Sequence, residues 1–257
     1  MAARPNARFV AQLVSRLYVC HGITGPAALL LALLFPLVPL LPGQFWTQVG
    51  TEVLILGLFA LSFNLLYGVM GQISFGHAAF FGVGAYATAM LFTALKPAGG
   101  TIGMGEFVLS LLVGPPVAAL AALLVGLFCV RLTGIYFAML TLAFGELLFY
   151  IVFSWYSFTK GDDGIQGLLP PPLLQDPVNF YYLTLAIVAA AAALMWRITE
   201  SPFGYTLRTL RDNQRRAAFL GIDVRAHMLV NFVVAGAFAG LAGALWGPFT
   251  RSVSHGL

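Results

Sequence analysis

Charge is scarce in this chain. Lys, Arg, Asp and Glu together make up 9% of its 257 residues, against about 25% in soluble domains. Hydrophobic residues account for 60%, with a mean hydropathy of +0.91. A water-soluble globule is excluded, and membrane spans replace soluble domains as the unit to count. Lysine is scarcer still. Lys96 precedes proline and Lys160 precedes glycine, so the Gly-x-x-x-x-Gly-Lys-Ser/Thr loop that cradles nucleotide phosphates cannot be built. No ATPase is encoded, and no cofactor is expected in this chain. Cys20 and Cys129 both fall in or beside apolar runs and read as packing residues, not as a disulfide framework or metal site. Asp162 and Asp163, beside glycines, lack the ligand spacing of an EF-hand. The net charge of +4 does not point to nucleic acid, because the charges flank spans and form no patch interleaved with aromatics.

Apolar runs are what the sequence has in abundance. A spanning helix needs about 20 mostly apolar residues. Seven candidates meet that need: Ile23–Leu41, Thr51–Met70, Ala78–Leu95, Phe107–Val130, Ile135–Tyr156, Phe180–Trp196 and Met228–Phe249. The expected fold is all-α, a polytopic bundle forming one permease-type domain over 1–257. The first run follows Arg4, Arg8 and Arg16, but no small-residue cleavage site follows it, so a retained helix broken near Pro36, Pro39 and Pro42 is expected. With the N-terminus inside, Arg4, Arg8, Arg16, Arg131, Arg197, Arg208, Arg211, Arg215, Arg216 and Arg225 all fall in the cytoplasm. Lys96, Lys160 and Arg251 fall outside. Ten against three is the positive-inside pattern. The last residues, His255–Leu257, carry no helix stop, and the expectation is a chain that continues into further spans.

One polar island interrupts the spans. Ser201–Asp223, within a loop spanning 198–227, reads as two short helices. Ser201 can cap the first with Pro202 in its first turn, Asp212 or Asn213 can open the second, and Gly221 can close it. Phe203, Leu207 and Leu210 share one face, beside Gly204; Arg208, Arg211 and Arg215 share the other. Such a segment either rests on anionic lipid headgroups or docks a cytoplasmic subunit. Ala217, Ala218 and Gly221 favour docking, since small residues admit close approach and lipid does not require it.

A second segment, Tyr67–Tyr86, is glycine-rich, polar and without formal charge. It is either a tight cytoplasmic turn or a break dipping into the membrane beside a protein-lined cavity. Gln72, Ser74, His77 and Tyr86 are its polar offerings to a pathway, with Asn64 in the preceding span. Glu146 lies near the middle of its span, where a carboxylate costs at least ~2.5 kcal/mol and must face protein or water. Proton relay, substrate contact and structural hydrogen bonding are all open to it. The structural role is preferred because no other charged residue lies so deep. In the last span, Gly236, Gly240, Gly243 and Gly247 make a close-packing stripe, expected to lack a partner within the chain. The acidic outer loop Thr159–Leu168 is a solvated connection or a contact for a delivery protein.

The blocks Gly71–Tyr86, Arg131–Glu146, Gly161–Ile165 and Ser201–Asp223, in that order, resemble the permease subunits of branched-chain amino-acid ABC importers of the LivM type. The likeness runs from about Thr51 to Trp246. It implies a heterodimer with a companion permease, two cytoplasmic ATP-binding subunits on the docking loop, and a periplasmic or extracellular solute-binding protein. It also implies the bacterial plasma (inner) membrane as the location and branched-chain amino acids as cargo. The family's docking pattern falls on Ala217, Ala218 and Gly221; Arg216 stands where a Glu is often found. Competing readings are a permease for urea or short amides, a proton-coupled amino-acid carrier using Glu146 or His77, and a membrane scaffold. A carrier has no need of the basic two-helix loop, and a scaffold has none of the broken segment.

Overall fold

The computed structural model describes residues 35–40, 43–96 and 102–253. The candidate first span lies outside these apart from Phe35–Leu40, a 3-10 helix containing Pro39. The chain divides into two units, 1–50 and 51–257, with the boundary inside the first long helix; the site described below belongs to the second.

The other six expected spans are all present as helices long and apolar enough to cross a membrane. They are α1 (Gln44–Asn64, prolonged by a π-helical turn Leu65–Met70), α2 (His77–Leu95), α3 (Met104–Cys129), α4 (Ile135–Ser154), α5 (Pro177–Thr199) and α8 (Val224–Thr250). Between α5 and α8 lie the two short helices α6 (Pro202–Asp212) and α7 (Gln214–Phe219). Local chemistry sets these boundaries. Asp176, Ser201, Asn213 and Asp223 accept hydrogen bonds from Val178, Gly204, Arg216 and Ala226 N–H groups, capping α5, α6, α7 and α8. Pro177 and Pro202 occupy the first turn, where the missing N–H costs nothing. Gly221, at φ +84, closes α7 with its own N–H on Ala218 O and that of Ile222 on Ala217 O.

The core is a three-helix contact of α8 with α2 and α3. A Cβ on Gly84 would fall on the backbone of Gly240, one on Gly243 on Phe81 O, and one on Gly236 on the Ala122 side chain. The glycine stripe of α8 therefore does have partners within the chain, contrary to the expectation from sequence. Missing side chains let three backbones approach where apolar lipid supplies no driving force of its own. Phe80, Phe137 and Phe232 pack edge-to-face beneath that contact.

The chain runs up and down, so the connections sort to two ends. One end holds the break between α1 and α2, Arg131 between α3 and α4, and the α6–α7 island. The other holds Lys96, Lys160 and Arg251, a single helical turn Tyr156–Thr159, and a two-residue antiparallel pair. In that pair β1 (Ile165–Gln166) meets β2 (Ser252–Val253), with Ile165 opposite Val253. The pair closes a second apolar cluster built on Phe92, Phe107, Leu168 and Phe180. In the loop there, the Tyr156 hydroxyl donates to Asp163 at 2.8 Å, and the carboxylate raises the phenol's pKa.

Candidate functional site

The α6–α7 island is amphipathic as its spacing predicts, but its faces are used differently. Leu207 and Leu210 are buried and Phe203 stacks on His227, so this face holds the island to the bundle. Arg208 is not free on the polar face. It donates to Glu200 at 2.8 Å and to Thr199 O at 3.2 Å, and lies over the Tyr205 ring. It braces the elbow between α5 and α6. Ala217 is fully buried, so it serves internal packing and not the outer contact expected of it; Ala218 and Gly221 are exposed. What the island presents outward is Phe219, 92% exposed, and Leu220, 72% exposed, flanked by Arg215 and Arg216. Asp212 and Asn213 are also exposed, Asn213 acting as the cap of α7.

Arg211 ties the island to the break in α1. Its guanidinium donates to Gly68 O within the π-helical turn, and its side chain lies so close to Gly71 that a Cβ there would meet it at 2.8 Å. Gly71 also needs its φ of +76, which an L side chain rarely adopts. Beyond it, residues 71–76 run without helix, alternately exposed and buried, into α2.

The polar candidates of the break are mostly structural. Gln72 is buried and its Oε1 accepts from Gly134 N–H at 3.1 Å, which anchors the break to the start of α4. Ser62 gives its single hydroxyl proton to Phe59 O, so the 2.9 Å contact with His77 has Nε2–H donating to Ser62 Oγ. His77 is buried among Phe59, Phe63 and Phe80. Ser74 and Tyr86 are buried too, their hydroxyls without protein partners among the described residues. Asn64 is exposed and folds its amide over Gly68 one turn along its own helix, not toward Glu146.

Asn231 was not singled out from the sequence. Fully buried in α8, it donates to Leu65 O at 2.9 Å and faces Met70 Sδ at 3.5 Å. It satisfies a carbonyl of the π-helical turn. An Asn in an otherwise apolar run was the available signal. Asn231→Leu is expected to remove this second bond to the Leu65 carbonyl and to cost about 0.5–1.5 kcal/mol, read as a lower thermal midpoint of the detergent-purified protein. An unchanged midpoint would show that the turn holds without it.

Glu146 lines a cavity of about 310 Å³ between the first half of α2 and the second half of α4. Its floor is a close crossing: a Cβ on Gly76 would fall on Thr141 O, and one on Gly145 would meet Gly76 Cα at 3.0 Å.

These features define a multi-pass α-helical membrane protein with a folded helical island at one end. The family model described as "Branched-chain amino acid transport system / permease component" matches residues 46–256, and the chain belongs to that family. It is 27% identical over 235 residues to the high-affinity branched-chain amino acid transport system permease protein LivM of Escherichia coli K12, covering 81% of this chain and 53% of that protein. The LivM protein of Salmonella typhimurium LT2 matches at the same identity and coverage. The guanosine ABC transporter permease protein NupP of Bacillus subtilis 168 is 38% identical over 82 residues, 31% of this chain and 24% of that protein. The chain thus spans about half the length of the LivM proteins it matches. No solved structure matches it.

Proposed function

We propose that this chain acts as a permease subunit of an ATP-driven importer of branched-chain amino acids in a bacterial plasma membrane. Membership of the permease family is the observation that carries the reading. The α6–α7 island supports it, being a braced platform with an apolar tip and nothing in the described residues to cover it. In this reading the chain pairs with a companion permease, and two ATP-binding subunits dock on residues 198–227. A solute-binding protein delivers cargo at the opposite face, and this chain supplies no catalysis or cofactor. The N-terminus and the arginine-rich end are cytoplasmic by the positive-inside rule. Arg211 carries movement of the island to the break after α1, because it holds Gly68 O directly.

Nucleosides are the second cargo class, favoured by the identity to a guanosine permease over part of the chain. The test is uptake into vesicles holding both permeases, both ATPases and the binding protein. L-Leucine uptake should require ATP and the ATPases and should survive collapse of the proton gradient. Guanosine uptake in place of leucine would reassign the cargo. Proton-driven uptake by this chain alone would defeat the importer reading.

A further inference from the structure

Glu146 is the twelfth residue of a 20-residue spanning helix, where a carboxylate must face protein or water. Among the described residues it makes no hydrogen bond or ion pair, so the structural partner expected from sequence is not supplied by this chain's described part. The space it borders is an open-sided recess of about 310 Å³, at the lower end of the volumes that hold small ligands, roughly 300–1,000 Å³, with Glu146 itself exposed at its edge. Its remaining walls are apolar, chiefly Val83, Leu142, Phe149 and Val152, and Gly82 widens it: a Cβ at that position would meet nothing within 4 Å. One unpaired negative charge set in an aliphatic pocket suits a small cation-bearing aliphatic body. His77, by contrast, is packed and partnered elsewhere.

We infer that the α2–α4 cavity is a solute site in which the Glu146 carboxylate receives the ammonium group of the transported amino acid, while the aliphatic side chain lies against the apolar walls. This rests on the importer reading above and names the contact that selects amino acids over uncharged cargo. A charge-assisted hydrogen bond forms between the ammonium N–H and a carboxylate oxygen. Aspartate in place of Glu146 keeps the charge, glutamine removes it, and neither alters the volume much.

The experiment uses the full assembly with Gly82→Cys, whose thiol the open space admits without displacement. Maleimide labelling of residue 82 is followed by mass spectrometry. L-Leucine should protect residue 82, and 4-methylpentanoate, the same skeleton without the ammonium, should not. Adding Glu146→Gln should raise the leucine concentration for half-protection about tenfold or more, the loss expected for one charge-assisted bond, and Glu146→Asp should restore much of it. Equal protection by both probes, or an unchanged leucine requirement in Glu146→Gln, overturns the inference. So does failure of Glu146→Gln to co-purify with the companion permease, which would make the residue an interface group. Leucine uptake by the parent assembly without protection would sink this site and leave the importer reading standing; neither uptake nor protection would sink both.

Discussion

Gly84→Val is expected to prevent this bundle from forming. The Cβ of any residue at 84 would fall on the carbonyl and Cα of Gly240 in α8, which are backbone atoms with no rotamer to yield. Valine adds two methyl groups beyond a Cβ that already has no room. The helices must separate, and separation also strips Gly243 from Phe81, because both contacts lie along the seam between α2 and α8. Overpacking usually costs about 1–3 kcal/mol where side chains can give way. Here backbone meets backbone, and a loss of about 4 kcal/mol or more is expected, in the range reserved for disrupted cores. Gly57→Val is the control. That glycine lies in α1 with nothing within 4 Å of an added Cβ, and a β-branched residue is tolerated in an apolar span. The measurement is the yield of monodisperse protein in detergent and its thermal midpoint. Similar midpoints for the two variants would mean that α2 and α8 do not touch at Gly84.

The same seam marks where reading the sequence succeeded and where it stopped. The i, i+4, i+7, i+11 spacing of Gly236, Gly240, Gly243 and Gly247 announced a close-packing face. Which helix fills it is a tertiary fact, and the matching small residues of α2 and α3 sit amid too many other glycines and alanines to be singled out. Spans were legible because 20-residue apolar runs have few alternatives. The island was legible because caps are local chemistry, so Ser201 and Gly221 marked its ends, and of the two candidates Asp212 and Asn213 it is Asn213 that caps the second helix. Its faces were harder. Periodicity separated Leu207 from Arg208, but it could not show that Arg208 turns back to Glu200, or that Ala217 faces inward while Phe219 and Leu220 face out. Arg211 and Asn231 act on the π-helical turn from 143 and 166 residues away in sequence, beyond the reach of any spacing argument.

The exposed tip of the island supports the second large effect. Phe219→Ala is expected to release the ATPase subunits. Two large apolar side chains at the end of the six-residue α7, Phe219 exposed by 92% and Leu220 by 72%, are not explained by packing among the described residues. Aromatic anchors at the centre of an interface typically cost 2 kcal/mol or more when truncated, about a thirtyfold loss of affinity. Gly221→Val acts on the same tip by another route. The left-handed φ of +84 costs a β-branched residue about 1–3 kcal/mol, although nothing would clash with its Cβ. The end of α7 should rearrange and carry Phe219 and Leu220 with it. Arg208→Ala removes an exposed ion pair and loosens the elbow with Glu200, at a cost that exposed pairs keep to roughly 1 kcal/mol or less. All three variants should insert and pair with the companion permease. ATPase co-purification should then fall steeply for Phe219→Ala, clearly for Gly221→Val and little for Arg208→Ala. The competing occupant of the tip is the membrane surface, since Arg215 and Arg216 flank it and suit anionic headgroups. If Phe219→Ala keeps its ATPases but no longer protects the tip from an aqueous label in anionic vesicles, the phenylalanine is a lipid anchor. The docking contact would then have to lie on the arginine face.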